Sequence, residues 1–409
     1  MKRMNRSWKF KLLLLGLSLV VSFGIAELGL RVVGVTSPML HQTDAVTGRS
    51  LRPGARGWST SEGRAYVQIN SDGMRDREFS VEKSDGCLRI AVLGDSFAEA
   101  VQVSLEDSFP KVMERVLNEN ASESSPPIEV LNFGVEGYGT GSQWLTLRHK
   151  VWKYDPDVVL LAMFTGNDIR NNSRALSQQY DLGRPFFGVD EAGEIEIDEA
   201  FRDWSTWQNR RRLEQGGIAS LVHHSAVLQL IRRARQGFNR PGNSSKHVWD
   251  EPGVDLEVFR EPESCDWREA WQTTERLINA IHREVKQHRA KLLVVTLSNG
   301  IQVHPDGEVR QAFKDTLGIE DVFYPDRRIA QHCQSEGIPV LSLAARLQRL
   351  AQENDTFFHG FDNTQMGTGH WNEKGHQAAG QMMAAASRQW IEQDERRPQT
   401  AQRPKKSRR

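Results

Sequence analysis

"LRIAVLGDSFAEA", residues 88–100, decides how the rest of the chain is read. Its first six residues form a short, nearly continuous apolar run, and Gly94 closes it. A strand buried on both faces reads this way, because neither face can be polar, and such strands belong to parallel sheets. Downstream the same pattern returns. "IEVLNFG" (128–134), "DVVLLAMF" (157–164), "KLLVVTL" (291–297) and "IPVLSL" (338–343) are further strands. Between them lie segments of helical spacing: "FPKVMERVL", "GSQWLTLRHKVWKY", the long "WREAWQTTERLINAIHREVKQHRA" (267–290), "DRRIAQHCQSEG" and a last "EKGHQAAGQMMAAASRQWIEQ". Strand alternating with helix predicts an α/β fold, a parallel sheet covered by helices on both faces.

Around this core the chain divides into four parts. Residues 1–35 open with Lys2, Arg3, Arg6, Lys9 and Lys11, followed by the uncharged run 12–26, then Glu27 and Arg31. A basic flank before an apolar run predicts a membrane anchor or a signal segment, with the flank left in the cytoplasm and the bulk of the chain exported. Glu27 and Arg31, four apart, can pair on a helix near the far interface. Residues 36–85 are a β-rich lead-in in which "YVQINSDGMRD" turns at Asp72-Gly73 as a small hairpin. Residues 86–392 hold the α/β domain, interrupted at 169–265 by a polar insertion with one apolar helical piece at 218–231; a loop this long shapes a site or is partly disordered. Residues 393–409 form a tail in which seven Lys or Arg follow position 395 without an acid, expected to be disordered. The formal net charge of zero gives no argument for nucleic acid as a partner. Cys87, Cys265 and Cys333 make no C-x-x-C pair and no disulfide framework.

Ligands of parallel sheets bind outside the carboxyl ends of the strands, so the residues directly after each strand carry the argument. After the first comes Ser96, behind Gly94 and Asp95; it suits a nucleophile and equally a helix cap, with Asp95 bonding local backbone. After the second comes "NFGVEGYGTGSQ" (132–143), whose four glycines let backbone approach a partner. It misses the dinucleotide pattern at Ser142, and the other reading is an exposed N–H such as that of Gly137. After the third comes "TGNDIR" (165–170), where Asn167 offers an amide donor and Asp168 can brace the loop; a plain turn is the alternative. A hydroxyl, a backbone donor and an amide donor after successive strands is the set a serine hydrolase needs. The missing base must be a histidine to work near neutral pH. "HWNEKGH" (370–376) supplies it: Asn372 reads as the N-cap of the last helix, which leaves His370 free in the loop ahead and puts His376 inside the helix, packed. The two histidines are too far apart to pair on a metal, and no metal or cofactor is expected.

Taken in order, "GDSF", "GVEGYG", "GND" and "HWNEKGH" resemble the four blocks of the SGNH (GDSL-like) hydrolase family, over residues 86–392. The lead-in and N-terminal helix are similar to those of membrane-anchored bacterial members. The resemblance implies a three-layer α/β/α sandwich around a five-stranded parallel sheet, flavodoxin-like in arrangement. It also implies Ser96 as nucleophile, His370 as base, and an oxyanion hole of Ser96 N–H, Gly137 N–H and the Asn167 side chain. One departure stands out. The family usually carries an Asp two or three residues before the His, and here those positions are Thr368 and Gly367. Asp362, or a backbone carbonyl, is the candidate for orienting the imidazole. The expected activity is an exported, membrane-tethered serine esterase acting on an acylated small molecule or glycan, with O-acetyl groups of a polysaccharide as the substrate by analogy. An O-acyltransferase and a non-catalytic glycan-binding protein are the alternatives. The sequence does not set the oligomeric state.

Overall fold

The computed structural model describes residues 6–33, 39–119, 126–177, 183–216, 225–238, 247–251 and 253–395. Five strands, β5 (Leu88–Leu93), β6 (Ile128–Asn132), β7 (Val158–Phe164), β10 (Lys291–Leu297) and β11 (Val340–Ser342), form one sheet in the order β11-β10-β7-β5-β6. Every neighbouring pair in it is parallel. All seven residues of β7, the central strand, are buried, which is why its sequence carries no polar residue.

Alternate side chains of each strand feed two cores. Ala91, Leu93, Val159, Leu161, Met163, Leu292 and Val294 face one layer, with Trp271, Leu277, Ile278 and Ile281 of the Cys265–Gln287 helix. Ile90, Val92, Leu160, Ala162, Phe164, Leu293 and Val295 face the other, with Phe109 and Met113 of the Phe109–Glu119 helix and Met383 of the Glu373–Glu395 helix. The fold is therefore a three-layer α/β/α sandwich. The chain steps from β5 to β6, then crosses back over β5 to β7, so the order reverses between β5 and β7 and leaves a crevice at their carboxyl ends.

The predicted helix over 141–154 is three pieces: an α-helix Thr140–Thr146, a wide π turn Leu147–Val151 and a tight 3₁₀ turn Trp152–Tyr154. Asp155, in a left-handed conformation, stops it ahead of β7.

The lead-in contains two antiparallel pairs, β1 (His41–Asp44) with β2 (Gly48–Leu51) and β3 (Arg56–Ser59) with β4 (Ala65–Gln68). The Asp72-Gly73 turn is present but closes no hairpin. Asn70 Oδ1 accepts from Asp72 N and Met74 N, and the chain then runs on to make side-chain contacts rather than a pairing strand. The hairpin is the preceding one, β3–β4.

The insertion forms a small antiparallel pair, β8 (Phe186–Val189) with β9 (Ile195–Asp198), and helices Ser205–Gln215 and Ala226–Phe238. Of the apolar piece expected at 218–231, residues 218–224 lie outside the described residues, as does the tail beyond Glu395. Cys87, Cys265 and Cys333 are free.

At the N-terminus the Arg6–Val33 helix includes a stretch, Trp8–Val33, long and apolar enough to cross a membrane and not buried by the rest of the chain. Arg31 Nε donates to Glu27 Oε1 at 2.7 Å, the pairing expected from their spacing. Glu27 also accepts from Ala226 N, Val227 N and Ser225 Oγ, and so caps the Ala226–Phe238 helix from outside it.

Candidate active site

Ser96 begins the four-residue helix Ser96–Glu99 directly beyond β5. The turn needs Gly94, because a Cβ there would stand 2.7 Å from Ala98 Cβ. Asp95 is the N-cap, its Oδ1 accepting from Phe97 N at 2.9 Å, so the backbone role read from the sequence is the one it has. The helix ends at Ala100, in a left-handed conformation. Ser96 itself is partly exposed, while its neighbours on both sides are buried.

His370 lies in the loop before the last helix. Its Nε2 is 2.8 Å from Ser96 Oγ. Its Nδ1 is 2.7 Å from Glu62 Oε2, the same oxygen that accepts from His370 N at 3.2 Å. A carboxylate can only accept, so Nδ1 carries the proton and Nε2 is left to accept from the Ser96 hydroxyl. The imidazole is thus held at both nitrogens, in the tautomer a general base needs.

The oxygen that orients the imidazole is therefore Glu62's, not Asp362's. Asp362 is exposed and turned into an outward cavity of about 620 Å³ that it shares with Arg64, Asp355 and Lys374. Thr368, one of the two positions at which an acid was expected, donates to Gln365 O at 3.1 Å and braces its own loop. Glu62 sits in the loop between β3 and β4, 308 residues from its partner, and no local motif marks it. The one signal for it was the empty place at 367 and 368. Asn363 holds this loop, accepting from Gly63 N at 2.9 Å and donating to Thr60 O and Gly63 O. Gly63 is needed for a left-handed conformation and because a Cβ would lie 2.4 Å from Gln102 O.

Burial works against a charged His370, but the hydrogen bond and charge of Glu62, with Asp95 and Glu136, outweigh it and hold the imidazole above its usual value. Glu62 moves the opposite way. Burial raises its carboxyl, and the contact with His370 overcomes this and keeps it below the usual range.

Gly137 and Asn167 follow β6 and β7, on either side of the Ser96 turn. Gly137 has φ +80°, a conformation that favours glycine, and Arg184 Nη1 ties its carbonyl back at 2.6 Å. Glu136 N donates to the buried carboxylate of Glu99, which also meets His41 Nε2 at 3.0 Å. Asn167 Oδ1 accepts from Asn171 Nδ2 at 3.1 Å, which fixes the amide and leaves its own NH₂ free. Among the described residues, no hydrogen bond is recorded for Ser96 N–H, Gly137 N–H or Asn167 Nδ2, and all three residues are partly exposed. They follow the carboxyl ends of three adjacent strands, the side of a parallel sheet on which ligands bind.

Asp168 starts the helix Asp168–Asn172 and accepts from Gln143 Nε2 at 3.3 Å, bracing the loop as expected. Burial, reinforced by the charge of Asp95, raises its carboxyl well above the carboxylate range.

His376 makes no pair with His370. It is fully buried, its Nδ1 accepts from Phe109 N at 3.3 Å, and its ring stacks on Phe109. Asn372 caps the last helix, accepting from Lys374 N and Gly375 N, each at 3.1 Å. Among the described residues no group of three His, Cys, Asp or Glu side chains is placed to hold a metal ion.

No family model and no curated protein matches this sequence. Solved structures similar to it include the acetyl xylan esterase AlAXEase, 13% identical over 73% of this chain and 99% of that one, with a TM-score of 0.36. A lipase/acylhydrolase from Enterococcus faecalis is 11% identical over 74% of this chain and 96% of that one, with a TM-score of 0.37. A catalytic mutant of an acetylxylan esterase from Geobacillus stearothermophilus is 11% identical over 76% and 96%, with a TM-score of 0.35. Each is a distant likeness, and the chemistry open to this chain rests on its own side chains.

Proposed function

We propose that this chain is a serine esterase, tethered to a membrane by its N-terminal helix with the catalytic body exported. The observation that carries the reading is His370 bridging Ser96 at 2.8 Å and Glu62 at 2.7 Å. Ser96 Oγ attacks the ester carbonyl carbon while His370 Nε2 takes its proton, and Glu62 stabilises the imidazolium that forms. The N–H groups of Ser96 and Gly137 and the amide of Asn167 hold the oxyanion. Collapse breaks the carbonyl–alkoxy bond. The alcohol leaves with the proton from His370, and Ser96 keeps the acyl group. Water then attacks the acyl carbon, His370 takes and returns the second proton, and the carboxylic acid departs.

A histidine without an acid would have argued for an ester over an amide, and Glu62 removes that ground. The ester reading instead follows the resemblance of the four blocks, as does the narrower substrate, O-acetyl groups on a cell-envelope or secreted polysaccharide. Support for export is the set of basic residues, Lys9 and Lys11 and those before them, that flank the apolar helix. Tethering agrees with the exposed apolar surface of that helix.

The test is release of p-nitrophenol from short acyl esters, together with labelling by a fluorophosphonate. Ser96→Ala is expected to lose about 10⁴-fold or more in kcat and all labelling. Equal traces for wild type and Ser96→Ala would leave a glycan-binding protein on this fold as the better reading.

A further inference from the structure

A second serine and histidine meet below the first pair. Ser298 follows β10, and its Oγ is 2.9 Å from His359 Nε2. His359 Nδ1 is 2.6 Å from Gly369 O. Trp371 Nε1 donates to Ser298 Oγ at 2.8 Å. Only one assignment of protons satisfies all of these contacts. The indole can only donate, so Ser298 accepts from it and turns its own hydrogen toward His359 Nε2. His359 must then carry its proton on Nδ1, and gives it to the Gly369 carbonyl. Burial favours the neutral imidazole this requires, pushing the His359 pKa down to about 4.

Ser298, His359 and Trp371 are all fully buried. Among the described residues the acceptor on His359 Nδ1 is a carbonyl, not an acid. The group therefore has the hydrogen bonds of a Ser–His pair without access for a substrate and without an acid in contact to support an imidazolium. What it does have is a grip on the residues on either side of His370. Gly369 is held through its carbonyl and Trp371 through its indole. The backbone completes the frame: His359 and Trp371 form an antiparallel bridge, Gly360 N donates to His370 O at 3.1 Å, and Asn372 N donates to Phe358 O at 2.9 Å. Phe97, next to Ser96, packs its ring at 5.0 Å from His370, 5.1 Å from Trp371 and 5.9 Å from His359.

We propose that Ser298 and His359 are positioning residues that set the place of His370 against Ser96, through Gly369 and Trp371. Ser96 and Glu62 orient the imidazole plane, and this buried chain fixes the backbone from which it hangs. The proposal rests on the esterase reading of the site. Its effect is on proton transfer and not on substrate binding, because neither side chain reaches the surface. Displacement of a general base by about 1 Å can cost about 10²-fold in rate.

Two substitutions separate positioning from packing. The amide nitrogen of an asparagine at 359 occupies the place of Nδ1 and can still donate to Gly369 O. The longer amide of a glutamine occupies the place of Nε2, keeps Ser298 and loses Gly369. In the full chain in detergent, His359→Gln is expected to lower kcat and the fluorophosphonate labelling rate about 10- to 100-fold with KM within about twofold. His359→Asn is expected to restore most of that loss. The acidic limb of the pH profile should shift in His359→Gln and not in His359→Asn. Ser298→Ala, which leaves the indole and His359 Nε2 without a partner, gives the same loss and serves if His359→Gln does not fold. Equal activity in the two His359 variants, or a wild-type labelling rate in both His359→Gln and Ser298→Ala, overturns the proposal while leaving the esterase reading intact. Wild type that labels at no rate sinks the esterase reading instead. The Nδ1–H signal of His370 in histidine-labelled protein then decides the positioning role, displaced in His359→Gln if it holds and unmoved if it does not.

Discussion

β5, β6 and β7 present Ser96, Gly137 and Asn167 from strands buried on both faces, at the reversal of the sheet. Glu62 arrives on a five-residue loop between two four-residue strands, whose small core is Leu40, Leu51, Val67, Ile69, Val135 and Tyr138. The first region is rigid because two hydrophobic layers hold it. The second packs a small apolar cluster on Val135 and Tyr138 of the first and adds polar contacts to three of the four blocks of the site. Glu62 orients His370. Tyr138 OH, beside Gly137, donates to Thr47 Oγ1 or Arg49 O. Arg75 of the "SDGMRD" stretch donates to Glu99 O, Ala100 O and Val103 O, the carbonyls at the end of the Ser96 helix. The sheet presents the proposed nucleophile and oxyanion donors by itself, yet the carboxylate that meets His370 lies in a region that could be taken for a linker.

If the lead-in is part of the chemistry, Glu62→Gln should be among the most damaging changes outside the nucleophile and base. The amide keeps the shape and loses the charge, and kcat is expected to fall about 10²–10⁴-fold. The pH profile gives the sign. His370 must be neutral to act as a base, so kcat/KM rises with pH through its pKa, which Glu62 holds above the usual imidazole value. Without that carboxylate the burial that lowers the pKa prevails, and the acidic limb moves to lower pH. A limb that stays in place would break the comparison and return Glu62 to a structural role.

On the sheet side, Asn167→Ala removes one oxyanion donor while leaving Ser96 and His370 in contact. The expected loss is about 10²–10³-fold in kcat, with KM little changed. Burst kinetics with a p-nitrophenyl ester would place that loss on the acylation step. An unchanged kcat would take Asn167 out of the oxyanion hole.

Arg75→Met asks whether the lead-in also holds the Ser96 helix together. Arg75 is 1% exposed, and its loss takes a donor from three carbonyls, of which Ala100 O still accepts from Val103 N. Urea unfolding of the full chain in detergent is expected to show a loss of about 3 kcal/mol. A loss under about 1 kcal/mol would mean the helix end is satisfied by other groups, and would confine the functional part of the lead-in to Glu62.

The sheet was legible because burial on two faces leaves a mark in every strand, and Ser96, Gly137 and Asn167 because each stands within a few residues of a strand end. The last helix was legible through its Asn372 cap. Glu62 was not, since an acid in a polar loop looks the same whether it faces water or an imidazole 308 residues away. The Asp72-Gly73 turn was read correctly as a turn, but it closes no hairpin. Asn70 closes it with side-chain bonds, and no alternation of residues reports those. Ser298 and His359 were invisible for a related reason: a buried serine after a strand and a histidine in a loop acquire meaning only when folding brings them together.

Asp362→Asn is the smallest expected effect and isolates the step where sequence and structure part. Both Asp362 and Glu62 are acids near His370 in one sense, eight residues away along the chain or 2.7 Å away in space. Asp362 is exposed, and its neighbour Asn363, not its own carboxyl, braces the Glu62 loop. Its replacement should leave kcat and the acidic limb within about twofold of wild type, as surface substitutions away from special features do. Asn363→Ala, one residue on, removes the bonds to Thr60 and Gly63 and should lower kcat by loosening Glu62. A large loss in Asp362→Asn with none in Asn363→Ala would reverse the assignment, and would make the acid near in sequence the one that serves the histidine.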